Sequence, residues 1–232
     1  MRKISIIIPV FNEINTIEAL LKRVGLINFK GLEKEIVIVD DSSTDGTRDF
    51  LKSIKDGSYK LIFNERNYGK GESVKRGLVQ AGGDFFAIQD ADLEYEPADY
   101  INLFDMLREK RVNIVLGSRF PALNNWRPIN HLQFLAHRII GMASQLLSGV
   151  KIKDPTSCYK IFDKSFRNYA LPRLRSKSFA FEVELISLVG KGNFKYAEMP
   201  IHYYPRTYQD GKKIKWFDGI KILLAILRHN IL

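Results

Sequence analysis

Blocks of apolar and polar positions alternate along the first half of this chain in a strand, helix, strand, helix rhythm. Ile4 to Pro9 is a β-branched run, and Ile17, Leu20, Leu21 and Val24 then recur at helical spacing behind the start signal Asn15-Thr16-Ile17-Glu18. Glu35 to Val39 predicts a second strand ending in Asp40-Asp41. The cap-forming stretch Ser43 to Thr47 follows, and a helix is expected from Arg48 to Ile54. Tyr59 to Phe63 reads as a third strand, and a helix from about Glu72 to Ala81 follows Gly69-Lys70-Gly71. Phe85 to Ile88 is a fourth strand. Pro97 suits the first position of a helix carrying Tyr100, Ile101, Phe104 and Leu107 on one face, and Ile114 to Leu116 is a fifth strand ending at Gly117-Ser118-Arg119.

Strands alternating with helices predict an α/β fold with a doubly wound, mostly parallel, Rossmann-like sheet and right-handed crossovers. The rhythm breaks over residues 120–150. Phe120 to Pro128 reads as a loop, and His131 to Val150 as one amphipathic helix with Leu135, Ile139, Ala143 and Leu146 on its apolar stripe. Residues 154–206 return to mixed strands and helices, with Phe194 to Met199 as a final strand. A polar, basic stretch from Tyr204 to Lys215 leads into a closing amphipathic helix from Trp216 to Leu232. The expected organisation is one domain over 1–206, in a first half (1–119) and a second half (120–206). A basic loop and C-terminal helix over 207–232 complete it.

Composition narrows the classes. The chain has 232 residues, 45% hydrophobic and 27% charged, ordinary values for a globular protein. The single Cys158 excludes a disulfide framework and a cysteine-based zinc site, and fits a reducing compartment. No run of apolar residues is long enough to span a bilayer. The net charge of +10 favours an anionic partner. Its basic residues are scattered and form no recognition module, so no nucleic acid is expected. Gly69-Lys70-Gly71 is also not the glycine fingerprint of a dinucleotide dehydrogenase.

The chemistry is expected at strand ends. The strand Phe85 to Ile88 stops at Asp90-Ala91-Asp92, two carboxylates one residue apart. Such a pair suits Mg²⁺ or Mn²⁺, with the other ligands coming from water and substrate phosphates. Phe11-Asn12-Glu13 and Asp40-Asp41 follow two other strands, and carboxyl ends of strands are where open α/β sheets bind nucleotides.

These motifs carry a resemblance. Pro9-Val10-Phe11-Asn12-Glu13, then Asp40-Asp41-Ser42-Ser43-Thr44-Asp45-Gly46-Thr47, Asp90-Ala91-Asp92-Leu93 and Gly117-Ser118-Arg119 resemble, in that order, inverting nucleotide-sugar glycosyltransferases of the GT-A fold. Asp154-Pro155-Thr156-Ser157-Cys158-Tyr159-Lys160, Phe181-Glu182-Val183-Glu184, Glu198-Met199-Pro200-Ile201 and Arg206-Thr207-Tyr208 look like the dolichyl-phosphate mannose synthase and polyprenyl-phosphate hexosyltransferase branch. The resemblance implies transfer of mannose or glucose from GDP-mannose or UDP-glucose to a polyprenyl phosphate such as dolichyl or undecaprenyl phosphate. A sugar hydroxyl as acceptor and a non-catalytic nucleotide-sugar-binding protein are the alternatives.

Residue by residue, the resemblance puts Pro9, Phe11, Glu13, Asp40 and Asp41 around the donor, with Asp90 and Ala91 beside them. Asp90, Asp92 and Glu94 would hold the metal. Arg119, Arg138, Lys160, Arg206, Lys212 and Lys213 would meet phosphates, and Asp154, Arg119 and Asp92 would be catalytic. Some of these residues have a second reading. Asp154 is equally well a turn cap before Pro155, Lys160 and Glu182 a structural ion pair, and Lys212 to Lys215 a solvated run. A lipid acceptor also implies peripheral attachment to the cytoplasmic face of a membrane through the basic, apolar-striped C-terminal helix. In the competing arrangement that stripe packs on the body or on a second copy in a homodimer.

Overall fold

The structure is a computed structural model that describes residues 2–55, 57–119, 131–206 and 216–231, the side chains of 131–137 and 216–218 aside. Its frame is one seven-stranded sheet in the order β3-β2-β1-β4-β6-β5-β7. The strands are β1 (Lys3–Val10), β2 (Glu33–Asp40), β3 (Lys60–Phe63), β4 (Phe85–Ile88), β5 (Ile114–Ser118), β6 (Lys160–Asp163) and β7 (Tyr196–Pro200). β1 lies inside the sheet with β2 and β4 parallel on its two sides, and every residue from Ile4 to Val10 is buried. Burial on both faces is why this strand reads as an unbroken apolar run.

β6 is the exception to parallel order. It runs antiparallel between β4 and β5, pairing Ile88 with Lys160 and Leu116 with Lys160 across its two edges. Strands from both halves of the sequence therefore share one sheet. The edge strands, β3 and β7, are short, which limits open pairing edges.

The helices are α1 (Ile17–Leu26), α2 (Thr47–Ser53), α3 (Lys70–Gln80), α4 (Asp99–Glu109), α5 (His131–Ser148), α6 (Lys164–Ala170), α7 (Phe181–Lys191) and α8 (Trp216–Ile231). α1 buries Ile17, Leu20, Leu21 and Val24, the positions its spacing picks out. α3 begins two residues earlier than the pattern suggests. Gly69 has φ +93°, and a Cβ on Gly71 would lie 2.3 Å from the Ser176 carbonyl oxygen. Those glycines let α3 close against residues 176–181, so they serve packing.

α7 is buried on nearly all sides, covered by α5 and α8. Ile140 of α5, Val183 of α7, and Ile222 and Ile226 of α8 form a small second core. The outer faces of α5 and α8 stay apolar. Seven of the twelve large apolar side chains standing exposed among the described residues lie there: Ile139, Met142 and Leu146 on α5, and Ile220, Leu224, Leu227 and Ile231 on α8. Their i, i+3, i+4 and i+7 spacing makes one stripe per helix.

Candidate active site

The carboxyl ends of β1, β2, β4 and β5 open on one edge of the sheet, and the loops leaving three of them are conformationally forced. Asn12, Ser42 and Leu93 have φ of 51°, 65° and 60°, left-handed values that cost a non-glycine residue about 1–2 kcal/mol. Asn12 lessens its cost by local bonding, accepting from the Thr44 N–H at 2.8 Å while its own N–H donates to Ser43 Oγ at 2.9 Å. Backbone strain of this kind gathers at ligand sites.

Asp40 and Asp41 face inward. Asp40 accepts from Arg48 Nε at 2.6 Å and from the Ser43 N–H at 3.3 Å. Asp41 accepts from Asn64 Nδ2 at 2.7 Å and from the N–H groups of Tyr68 and Gly69 at 2.9 and 2.7 Å. Both Asp41 oxygens thus hold the loop 64–69 that leads into α3. Pro9 is buried, Phe11 half-buried, and Glu13 receives the Arg206 guanidinium at 3.1 and 3.2 Å.

The acid pair after β4 splits into two environments. Asp90 is met by Lys70, whose Nζ lies 2.7 and 2.9 Å from its two oxygens. Lys70 also reaches Glu182 at 2.9 Å, and Glu182 pairs with Lys160 at 2.6 Å. Burial works to lower the Lys70 pKa, but the facing carboxylates overcome it and the net shift is upward. Burial would raise Glu182, and the two lysines hold it below the usual carboxylate range. Lys160 is only 1% exposed and its ammonium meets Glu182 and the Ser157 carbonyl, the arrangement of the structural ion pair that is its second reading. Lys70 is a cation at the β4 end that the sequence reading passed over. The signal was its place beside Gly69 and Gly71, at the start of a helix whose first turn returns to the β4 end.

Asp92 is pushed up to about 7, first by burial and then by the neighbouring charges of Asp90 and Glu94, with Arg206 at 3.4 Å pulling the other way. Glu94 accepts from the Arg206 N–H at 2.8 Å and from the Tyr203 hydroxyl at 3.2 Å. Ala91 between the acids is buried. Among the described residues no three His, Cys, Asp or Glu side chains form a closed metal cage. A carboxylate that resists ionisation for want of positive charge nonetheless fits a divalent ion completed by phosphate and water oxygens.

Arg119 leaves β5 and is gripped by Asp154. Its Nε lies 2.7 Å from Oδ2 and its Nη2 2.8 Å from Oδ1, and its backbone N–H adds a third bond at 3.0 Å. The Asp154 side chain has no exposed surface. With both oxygens held by a guanidinium, it orients Arg119. The Arg119 guanidinium stands 5.3 Å above the Tyr203 ring, and Tyr203 bonds Glu94, so Arg119, Glu94 and Arg206 border one space. Arg138 is exposed on α5, away from these contacts. Lys212 and Lys213 lie outside the described residues.

Comparison with known proteins agrees with this geometry. The signature of glycosyl transferase family 2 matches residues 5–169. A dolichyl-phosphate beta-glucosyltransferase of Dictyostelium discoideum is 27% identical over 93% of this chain and 70% of its own length. A dolichol-phosphate mannosyltransferase of Pyrococcus furiosus is 28% identical over 98% of this chain and 62% of its own. Among solved structures, glucosyl-3-phosphoglycerate synthase from Mycobacterium tuberculosis with Mg²⁺ and UDP superposes with a TM-score of 0.73 at 17% identity, covering 99% of this chain and 79% of that one. The same enzyme with Mn²⁺, UDP and phosphoglyceric acid gives 0.71 at 18% identity, covering 100% and 79%. That likeness shows a shared GT-A fold. The family match spans well over half of the chain, and with it this protein belongs to glycosyl transferase family 2 and is a glycosyltransferase.

Proposed function

We propose that this enzyme transfers a hexose, glucose or mannose, from UDP-glucose or GDP-mannose to a polyprenyl phosphate with inversion at the anomeric carbon. The observation that carries the reading is the convergence of Arg119 and Arg206 on the space beside Asp92 and Glu94, with Lys70 behind Asp90. Fixed cations around a carboxylate surplus suit a reaction whose reactants are both phosphates. The printed names of the relatives, dolichyl-phosphate glucosyl- and mannosyltransferases, support the same acceptor class.

In this reading Pro9, Phe11 and Glu13 border the donor nucleotide, while Asp40 and Asp41 brace the wall behind it. Asp92, with Asp90 and Glu94 beside it, would hold Mg²⁺ or Mn²⁺, which supplies charge neutralisation to the leaving nucleoside diphosphate when bound. Arg119 and Arg206 hold phosphate oxygens in line with the anomeric carbon. A phosphate oxygen of the acceptor attacks that carbon as its bond to the diphosphate oxygen breaks, and the electron pair leaves on the diphosphate. No proton has to be removed, so a site whose Asp154 is locked onto Arg119 loses nothing by lacking a free base.

The acceptor's head group stays at a bilayer surface. No helix among the described residues is long and apolar enough to cross a membrane. The exposed stripes of α5 and α8 instead suit peripheral attachment at the interface, on the cytoplasmic face that a free, buried Cys158 also fits. Arg138, Lys221 and Arg228 flank those stripes with positive charge, each worth ~1 kcal/mol near an anionic leaflet. The test is competition between acceptors: labelled UDP-glucose or GDP-mannose is offered with dolichyl phosphate and a free saccharide together. Label extracted into organic solvent supports the reading; label confined to saccharide replaces it with sugar-hydroxyl transfer.

A further inference from the structure

We propose that Glu198, a residue with no role in the reading above, is a positioning residue for glycosyl transfer that sets the aim of Arg119 through Asp154. The inference rests on the reading of Arg119 as a phosphate contact. Glu198 stands on β7 opposite Leu116 of β5, three residues before Arg119 in the neighbouring strand. Its carboxylate accepts the Lys153 N–H at 2.9 and 3.0 Å and the Asp154 N–H at 3.0 Å. Two consecutive backbone N–H groups are thereby pinned to one anion, and the second belongs to the residue that grips Arg119.

Tyr196 completes the arrangement. It lies two residues earlier on the same face of β7, and its hydroxyl accepts the Lys151 N–H at 2.8 Å. The segment 151–154, which has no strand or helix of its own, is thus held at both ends by side chains of a rigid edge strand. Asp154 then delivers a planar, bidentate grip, and Thr156 Oγ1 accepts a further bond from Arg119 Nη2 at 2.8 Å. A bidentate pair fixes direction as well as charge. A tilt of the Asp154 backbone would turn the guanidinium away from a phosphate, and misplacement by about 1 Å costs a reaction up to about 100-fold.

The effect should run through Arg119 alone, and this separates positioning from general support of the fold. In the full chain labelled with nitrogen-15 arginine, the Arg119 Nε–H resonance is identified by its loss in Arg119→Lys. We expect Glu198→Gln, which removes the charge and puts a donor NH2 group in place of one of the two accepting oxygens, to shift or broaden that resonance. In the transfer assay we expect Glu198→Gln to lower kcat/KM about 10-fold or more with Arg119 present, and less than about twofold in an Arg119→Ala background. An unchanged Arg119 resonance, or an equal loss in both backgrounds, overturns the proposal. If Glu198→Gln does not fold, Glu198→Asp keeps the charge, draws it back by one methylene and is read in the same two ways. An absence of transfer in the unsubstituted enzyme counts against the proposed substrates, while the spectrum still decides the role of Glu198.

Discussion

Lys70 closes on both oxygens of Asp90, at 2.7 and 2.9 Å, and so the first acid of the strand-end pair is neutralised from inside the protein. The second acid, Asp92, meets the Arg206 guanidinium at 3.4 Å and accepts the Glu94 N–H at 3.1 Å. The two carboxylates sit one residue apart and are electrostatically unlike. Asp90 is neutralised by a lysine, and Asp92 by a more distant arginine.

Removing Lys70 should therefore hurt stability before chemistry. Lys70→Met leaves Asp90 and Glu182 without that cation in a buried site, and breaking such a pair costs about 3–5 kcal/mol. Urea unfolding of Lys70→Met should show that loss, and adding Asp90→Asn with Glu182→Gln should recover much of it. No recovery in the triple variant would contradict the ion-network account.

Asp41→Ala should behave as a loop mutation. It strips the acceptor from Asn64 Nδ2 and from the Tyr68 and Gly69 N–H groups, so a loss of about 2–4 kcal/mol is expected in urea unfolding. Stability within about 0.5 kcal/mol of the unsubstituted protein would return Asp41 to the donor pocket.

The alternation of strands and helices was legible in the sequence because β1 and β2 are buried on both faces and α1 shows one clean apolar stripe. The gathering of acids at strand ends was legible too, since Glu13 and Asp90 follow strands and Asp40 ends one. The long-range pairing was not. No periodicity signals that β6 reverses between β4 and β5, or that Lys160 on it turns toward Glu182. Asp154 and Arg119 are 35 residues apart, and only the folded chain shows that one consumes the hydrogen-bonding capacity of the other. Nor does the sequence show that the space Gly69 and Gly71 vacate is filled by residues 176–181.

His202 should couple stability to pH. Its ring Nδ1 lies 2.8 Å from Asp99 Oδ1, and hydrogen bonding to Asp99, followed by that residue's charge, raises its pKa. A raised folded-state pKa contributes stability fully below the unfolded value of about 6.5, and that contribution is lost as pH rises through the higher folded value. The Tm gap between the native protein and His202→Gln should be widest near pH 5.5 and close by about pH 9, and it should shrink with salt because the ring is largely exposed. A gap independent of pH would contradict this pairing.

The apolar stripes of α5 and α8 predict vesicle binding. Leu146 is 83% exposed and Leu224 60%, so Leu146→Glu with Leu224→Glu should leave the Tm nearly unchanged. The native protein should co-sediment with anionic vesicles at low salt, and the double variant should remain largely in the supernatant. Equal sedimentation of both, or of neither, would contradict a bilayer-facing role. A native dimer that the same two substitutions dissociate would place a second copy on this face instead.

The most direct test of the whole account is the dependence of lipid-linked product on Asp92 and a divalent ion. Full-length protein is incubated with labelled UDP-glucose or GDP-mannose and dolichyl phosphate, and label in the organic phase is counted with Mn²⁺, with EDTA, and with Mn²⁺ restored. The account predicts label with Mn²⁺, its loss in EDTA and its return on restoration. It also predicts a fall of at least about 100-fold in Asp92→Asn, with the folded structure intact. Undiminished transfer in EDTA, or an Asp92→Asn variant as active as the native enzyme, would contradict it.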